Sequence, residues 1–351
     1  MDVQAYVERV RSFQKSSEEC RKIWNHYCDT EAGPKMRDPK RHPLEFLQTF
    51  FEREAAGELD DDLEDTDVKK QKLSVALPEV SQQEVQDAQR RAAADGLAVW
   101  RSLPSHWQPL YEVPMKLRYD AEKFDFRAIA RQLLECPEGT PLEKLHEVQR
   151  SEDFEACPPL QLGMTLAGRP AAKQDRVAWR SNRFRLQLRE VYRRFVLEEI
   201  LPSLAATGDS DAAVQFEPVL RVVMPGHAAT KRHRDADYGH IPEELNFWLP
   251  LTSVAGSNSL YLESFPGRGD FHAFEGTNGD GFRWWGNLCE HYAEPNQTSC
   301  TRVSLDFRLI PGRFWAAALR AGSVQQAESR RSRHHGGSMA IGSYYTWLSL
   351  S

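Results

Sequence analysis

The sequence has no run of about 18 apolar residues, so it offers no helix able to span a bilayer. Its opening, Met1-Asp2-Val3-Gln4-Ala5-Tyr6, lacks the basic stretch and apolar core of a secretory signal. No Cys-x-x-Cys occurs. The six cysteines, at 20, 28, 136, 157, 289 and 300, are scattered in the manner of reduced intracellular thiols. The sequon Asn296-Gln297-Thr298 is then a chance match. A basic excess is missing too: 45 Lys and Arg against 51 Asp and Glu give a net charge of −6, which argues against a nucleic-acid or anionic-membrane partner. There is no Gly-x-Ser-x-Gly elbow for a serine hydrolase and no glycine-rich phosphate loop. These absences lead us to expect a cytoplasmic globular protein without a nucleic-acid or membrane partner.

What is present changes character along the chain. The 351 residues can bury one large core or two modest ones. Residues 1–110 have a helical, rather polar pattern. Val3, Tyr6, Val7, Val10 and Phe13 recur at three- and four-residue spacing, and Pro43-Leu44-Glu45-Phe46-Leu47 opens a second helix. Seven acids in the ten residues 58–67 predict a solvated, mobile loop. A further helix begins at Ser81, where Ser81 and Glu84 have the spacing of a capping box. Residues 111–180 are mixed. Asn182 to Ala205 then forms the clearest helix, with Phe184, Leu188, Val191, Tyr192, Phe195, Val196 and Ile200 on one stripe.

From Gln215 onward, short runs rich in branched and aromatic residues alternate with Gly, Pro, Asn and Asp clusters. The expected strands are Pro218–Met224, Asn246–Thr252, Ser259–Glu263, Asp270–Phe274, Gly281–Trp285, Thr301–Ile310 and Ser338–Trp347. Helices first and many short strands after predict an α+β protein with a double-sheet jelly roll buttressed by helices. The expected division is a helical region over 1–110 and a catalytic domain over 111–351, its core at about 181–347.

The chemistry concentrates in that half. His233-Arg234-Asp235 is followed 58 residues later by His291, and 11 residues beyond that comes Arg302-Val303-Ser304. Two imidazoles and one carboxylate are the ligand set that holds ferrous iron on one face and leaves the opposite positions open. Asp237, Tyr238 and His240 offer other ligand pairs in the same stretch, and zinc on His233, Asp235 and His291 is a second reading. In Arg302-Val303-Ser304-Leu305-Asp306-Phe307-Arg308 polar and apolar residues alternate, so Arg302, Ser304, Asp306 and Arg308 share one face of a strand. If that face lines a pocket, Arg302 grips the far carboxylate of 2-oxoglutarate and Ser304 adds a hydrogen bond. Asp306 then orients an arginine, or Arg308 contacts the substrate. Tyr238, Trp248, Trp284 and Trp285 are further candidates for the substrate side, although ordinary core packing is the stronger reading for the tryptophans. His334-His335, after three arginines, is expected in an exposed loop.

Several stretches carry a family resemblance. They are His233-Arg-Asp-Ala-Asp-Tyr-Gly-His240, Leu245-Asn-Phe-Trp-Leu-Pro-Leu-Thr252, Gly286-Asn287 with His291, and Thr301-Arg-Val-Ser-Leu-Asp-Phe-Arg308, with Val214–Arg221 and Ile341–Tyr345. Together they resemble the streptomycin-biosynthesis dioxygenase-like family and, more distantly, the phytanoyl-CoA dioxygenases. The resemblance spans about 181–347 and implies a double-stranded β-helix, Fe(II), 2-oxoglutarate and O2. It implies His233, Asp235 and His291 as metal ligands and Arg302 and Ser304 on the cosubstrate, with Asn246 a further candidate for that pocket. The implied activity is oxidation of an unactivated C–H bond in a small polar metabolite, in a setting such as natural-product biosynthesis. The competing readings are a cupin-like protein that binds a metal or small acid without turnover, and a hydroxylase of protein side chains.

Overall fold

The structure is a computed structural model. It describes residues 3–16, 18–32, 36–55, 77–112, 114–148, 183–204, 207–228, 230–324, 340–341 and 344–350. The acidic block at 58–67 and His334-His335 lie outside the described residues. Among the described residues no helix is long and apolar enough to cross a membrane.

Three helices open the chain: α1 (Val3–Ser16), α2 (Glu18–Glu31) and α3 (Leu44–Ala55). Their apolar stripes meet in a cluster of their own, with Val7, Val10 and Phe13 against Ile23, Trp24, Tyr27, Leu47 and Phe50. The next group is α4 (Gln82–Ala92), α5 (Leu97–Ser102) and α6 (Gln108–Glu112). The capping box forms at the start of α4: the Ser81 hydroxyl accepts from the Glu84 amide at 3.3 Å, and the Ser81 amide donates to Glu84 at 2.7 Å. Val99, Leu103, Trp107 and Tyr111 belong to the main core, together with the jelly-roll strands.

After α7 (Phe126–Leu133) comes α8 (Arg183–Phe195), which buries Leu188, Tyr192 and Phe195 in that core. Pro202 has no N–H to close the regular ladder, and the preceding turn, Val196–Ile200, widens to a π-helix. All the paired strands run antiparallel. The large sheet has the order β1 (Met115–Arg118), β7 (Asp280–Trp284), β4 (Leu245–Pro250), β9 (Arg302–Pro311), β2 (Asp211–Gln215), β10 (Tyr345–Ser349), with β3 (Val219–Val223) also on β9. The small sheet is β6 (His272–Ala273), β5 (Tyr261–Leu262), β8 (His291–Tyr292). Trp248, Phe282 and Trp284 of the large sheet meet Leu260, Leu262 and Phe274 in one buried cluster, which forms the interior of a jelly roll. The opposite face of the large sheet, with Val303, Leu305, Phe307 and Phe247, packs on the helices.

The last helix among the described residues, α9 (Gly312–Arg320), holds α4 to the sheet through Ala316, Ala317, Val85 and Ala88. A buried ion pair reinforces this contact: Arg91 of α4 donates to Glu243, and both side chains are 2% exposed. Tyr111 donates to the Glu243 carbonyl at 2.7 Å. Removing one partner of a buried pair strands the other charge, so Arg91→Ala is expected to lower unfolding free energy by about 3–5 kcal/mol. Arg91→Met combined with Glu243→Leu should recover most of that loss. Urea unfolding of the two variants measures both effects, and equal losses would contradict the account.

Candidate active site

Residues 233–236 lie against 286–291 through backbone pairing. His233 and His291 exchange amide and carbonyl at 3.2 and 3.0 Å, Asp235 N donates to Gly286 O at 3.0 Å, and Ala236 N donates to Asn287 O at 3.1 Å. Asp235 starts a 3-10 turn, and Gly239, at φ +85°, ends that turn in the left-handed region. This pairing brings the three expected ligands together. His233 Nε2 is 3.6 Å and His291 Nε2 3.9 Å from Asp235 Oδ1, and one ligand atom from each residue lies within 4.8 Å of the others. No other group of this kind occurs among the described residues.

Both rings are set up to ligate. His233 Nδ1 donates to the Lys231 carbonyl at 2.7 Å and His291 Nδ1 to the Cys289 carbonyl at 3.1 Å, which leaves each Nε2 lone pair facing Asp235. Burial, only partly offset by Asp235, pulls the pKa of His291 down to about 4, so its ring is neutral near pH 7. Burial works to raise the Asp235 carboxyl. The Arg308 guanidinium outweighs it and holds the group well below the usual carboxylate range. The other ligand pairs suggested by the sequence do not assemble: His240 Nδ1 donates to Glu244 at 2.9 Å, and Asp237 pairs with Arg234.

The alternation in β9 places Arg302, Ser304, Asp306 and Arg308 on the same face as Asn246 and Trp248, their neighbours across the sheet. Arg302 is 1% exposed. It donates to two neutral acceptors, the carbonyls of Ser259 (3.0 Å) and Asn258 (3.4 Å), and its Nε has no partner. Burial and the nearby cation Arg221 pull its pKa down to about 9. Arg221 itself is neutralised by a two-pronged pair with Asp306, 2.9 Å at each contact. The Ser304 hydroxyl, fully buried, is also unpartnered. Arg302 and Ser304 together leave one excess positive charge and unpartnered polar groups on this buried face, which a carboxylate would satisfy.

Arg308 and Asn246 both contact Asp235. Arg308, read from the sequence as a substrate contact, spends its guanidinium on Asp235, with Nε to Oδ2 at 2.8 Å and Nη2 to Oδ1 at 3.2 Å. Asn246, read as part of the cosubstrate pocket, donates to the same Oδ2 at 2.6 Å. Tyr238 stands at the rim, 67% exposed, with its ring edge-on to His233 at 5.3 Å. Trp284 is edge-on to His291 at 5.9 Å and Trp248 lies under Arg302 at 5.8 Å, while Trp285 packs on Tyr111 away from the site. Sequence reading missed Arg221 and Glu244. Arg221 left a trace, as the single charged residue inside the apolar strand Val219-Leu220-Arg221-Val222-Val223.

Gly286 has a steric role. A Cβ there would meet Asn246 Cγ and Oδ1 at 2.6 Å, and Asn246 cannot retreat without giving up Asp235. Gly286→Ala is therefore expected to cost about 1–3 kcal/mol of stability by overpacking. Adding Asn246→Ala should return part of that cost, a non-additivity that thermal unfolding of the single and double variants detects.

No family model matches the chain. The streptomycin biosynthesis protein StrG of Streptomyces griseus is 32% identical over 187 residues, which is 50% of this chain and 82% of StrG. Among solved structures, the non-heme alpha ketoglutarate dependent epimerase SnoN from nogalamycin biosynthesis aligns with TM-score 0.39 and 14% identity over 71% of this chain and 98% of SnoN. The Ni complex of the non-heme monooxygenase ThoJ aligns with TM-score 0.27 and 18% identity over 32% of this chain and 49% of ThoJ. At 32% identity across four-fifths of StrG, the chain belongs to the family of that streptomycin biosynthesis protein.

Proposed function

We propose that the protein is an Fe(II)- and 2-oxoglutarate-dependent dioxygenase that oxidises an unactivated C–H bond of a small polar metabolite, in a natural-product setting like that of the streptomycin biosynthesis protein StrG. The observation that carries this reading is Arg302, a buried cation with no anion, on the same interior face as the residues that hold Asp235. A metal site alone has no use for such a charge.

In this reading His233, Asp235 and His291 hold the iron, and Arg302 with Ser304 receives the distal carboxylate of 2-oxoglutarate. Iron, 2-oxoglutarate and O2 would supply the oxidative chemistry when bound. The residues of the chain bind, orient and exclude water. The apolar cluster of Trp248, Phe274, Phe282 and Trp284 keeps the interior dry. The two Nδ1 contacts fix the ligand rings, and Tyr238 at the rim meets the primary substrate.

Anaerobic titration with Fe(II) and 2-oxoglutarate tests the assignment through the weak visible charge-transfer band of the complex. Losing one partner of a desolvated charge pair costs about 3–5 kcal/mol. Arg302→Ala should therefore keep iron while the 2-oxoglutarate needed for the band rises by more than about a hundredfold. Ser304→Ala should act in the same direction more mildly. Parental 2-oxoglutarate affinity in Arg302→Ala would sink the cosubstrate assignment. Iron bound with no band in the parent would favour a non-catalytic binder.

A further inference from the structure

The two oxygens of Asp235 are used unequally. Oδ2 accepts from Asn246 Nδ2 at 2.6 Å and Arg308 Nε at 2.8 Å. Oδ1 faces His233 Nε2 and His291 Nε2 and has only the longer 3.2 Å contact with Arg308. Arg308 is anchored from behind. Its Nη1 donates to the Tyr344 hydroxyl at 3.1 Å and to Gln215 at 3.4 Å, and Nε lies 3.4 Å from the fully buried Glu244. Glu244 in turn accepts from the Tyr345 hydroxyl and from His240. Gly286 leaves the space in which Asn246 sits. Arg308 is therefore tethered beyond Asp235, and Asn246 is confined sterically against Gly286.

A carboxylate beside a divalent ion can offer one oxygen or both. We propose that Arg308 and Asn246 are positioning residues that lock Asp235 as a one-oxygen ligand, with Glu244 the counter-charge that keeps Arg308 in place. The lock rests on the metal reading above. With Oδ2 engaged from two sides, only Oδ1 is free to reach an ion between the two imidazoles. The ion then keeps about three exchangeable positions rather than about two. That difference decides whether a chelating acid and one further ligand fit together.

The test counts water on the metal and needs no turnover. The apoprotein is loaded with Mn2+, and water-proton relaxation reports the number of exchangeable waters. The parent should show about three. Arg308→Lys combined with Asn246→Ala keeps the charge but removes the two-pronged grip, and should hold one ion with about two waters, a fall of roughly a third. Arg308→Gln, Glu244→Gln and Asn246→Ala together remove one charge of each sign. That variant is a second route to the same release should the first misfold. Three waters in a folded variant, or loss of the ion from it, overturns the lock while leaving the metal site standing. Failure of the parent to bind Mn2+ overturns the metal reading and the lock with it.

Discussion

A buried charge needs a partner, and strand β9 presents three charged side chains to the interior of the jelly roll. Each finds a different solution. Asp306 is neutralised by Arg221 from the neighbouring strand, and Arg308 is shared between Asp235 and Glu244. Arg302 has only carbonyls. Because successive residues of a strand point to opposite faces, these positions cannot be rearranged without moving Val303, Leu305 and Phe307 out of the core. The register that packs the sheet on its helices is therefore the same register that leaves one cation unmatched. An unmatched buried guanidinium is costly, and a carboxylate-bearing ligand is the simplest way to offset that cost.

The helices ahead of the jelly roll are tied to this site by adjacent residues. Glu243 pairs with Arg91 of α4, and Glu244 supports Arg308. Both acids lie just before β4, whose second residue is Asn246. Residues from Val99 to Tyr111 share the main core with β9, whereas α1, α2 and α3 close around a cluster of their own. The helical half thus has two parts with different relations to the sheet: one forms part of the packing that holds Asp235, and the other makes a bundle that reaches the rest through α8.

Sequence periodicity revealed what depends on local pattern. The stripe on α8, the alternation of β9 and the Ser81–Glu84 box all carry their physical cause within a few residues. Strand β2, Asp-Ala-Ala-Val-Gln, was hidden because both its faces are buried and nothing alternates. Strand β8 is two residues long, and β1 is mostly exposed, so neither leaves a pattern. The ligand types His233, Asp235 and His291 could be picked out in the sequence, whereas what brings them together is the backbone pairing of 233–236 with 286–291. The role of Arg308 could not be read the same way, because its partner lies 73 residues upstream and only the fold brings them together. The same holds for Asn246, which alternation could place on the interior face but not on a particular carboxylate.

The most direct test of the central claim is to locate the metal and the acid together. Crystals grown anaerobically with Mn2+ and 2-oxoglutarate should show one anomalous peak bonded to His233 Nε2, Asp235 Oδ1 and His291 Nε2. The distal carboxylate of the acid should lie on Arg302 and Ser304. A peak away from those three atoms, or a carboxylate that leaves Arg302 unpaired, would contradict the account.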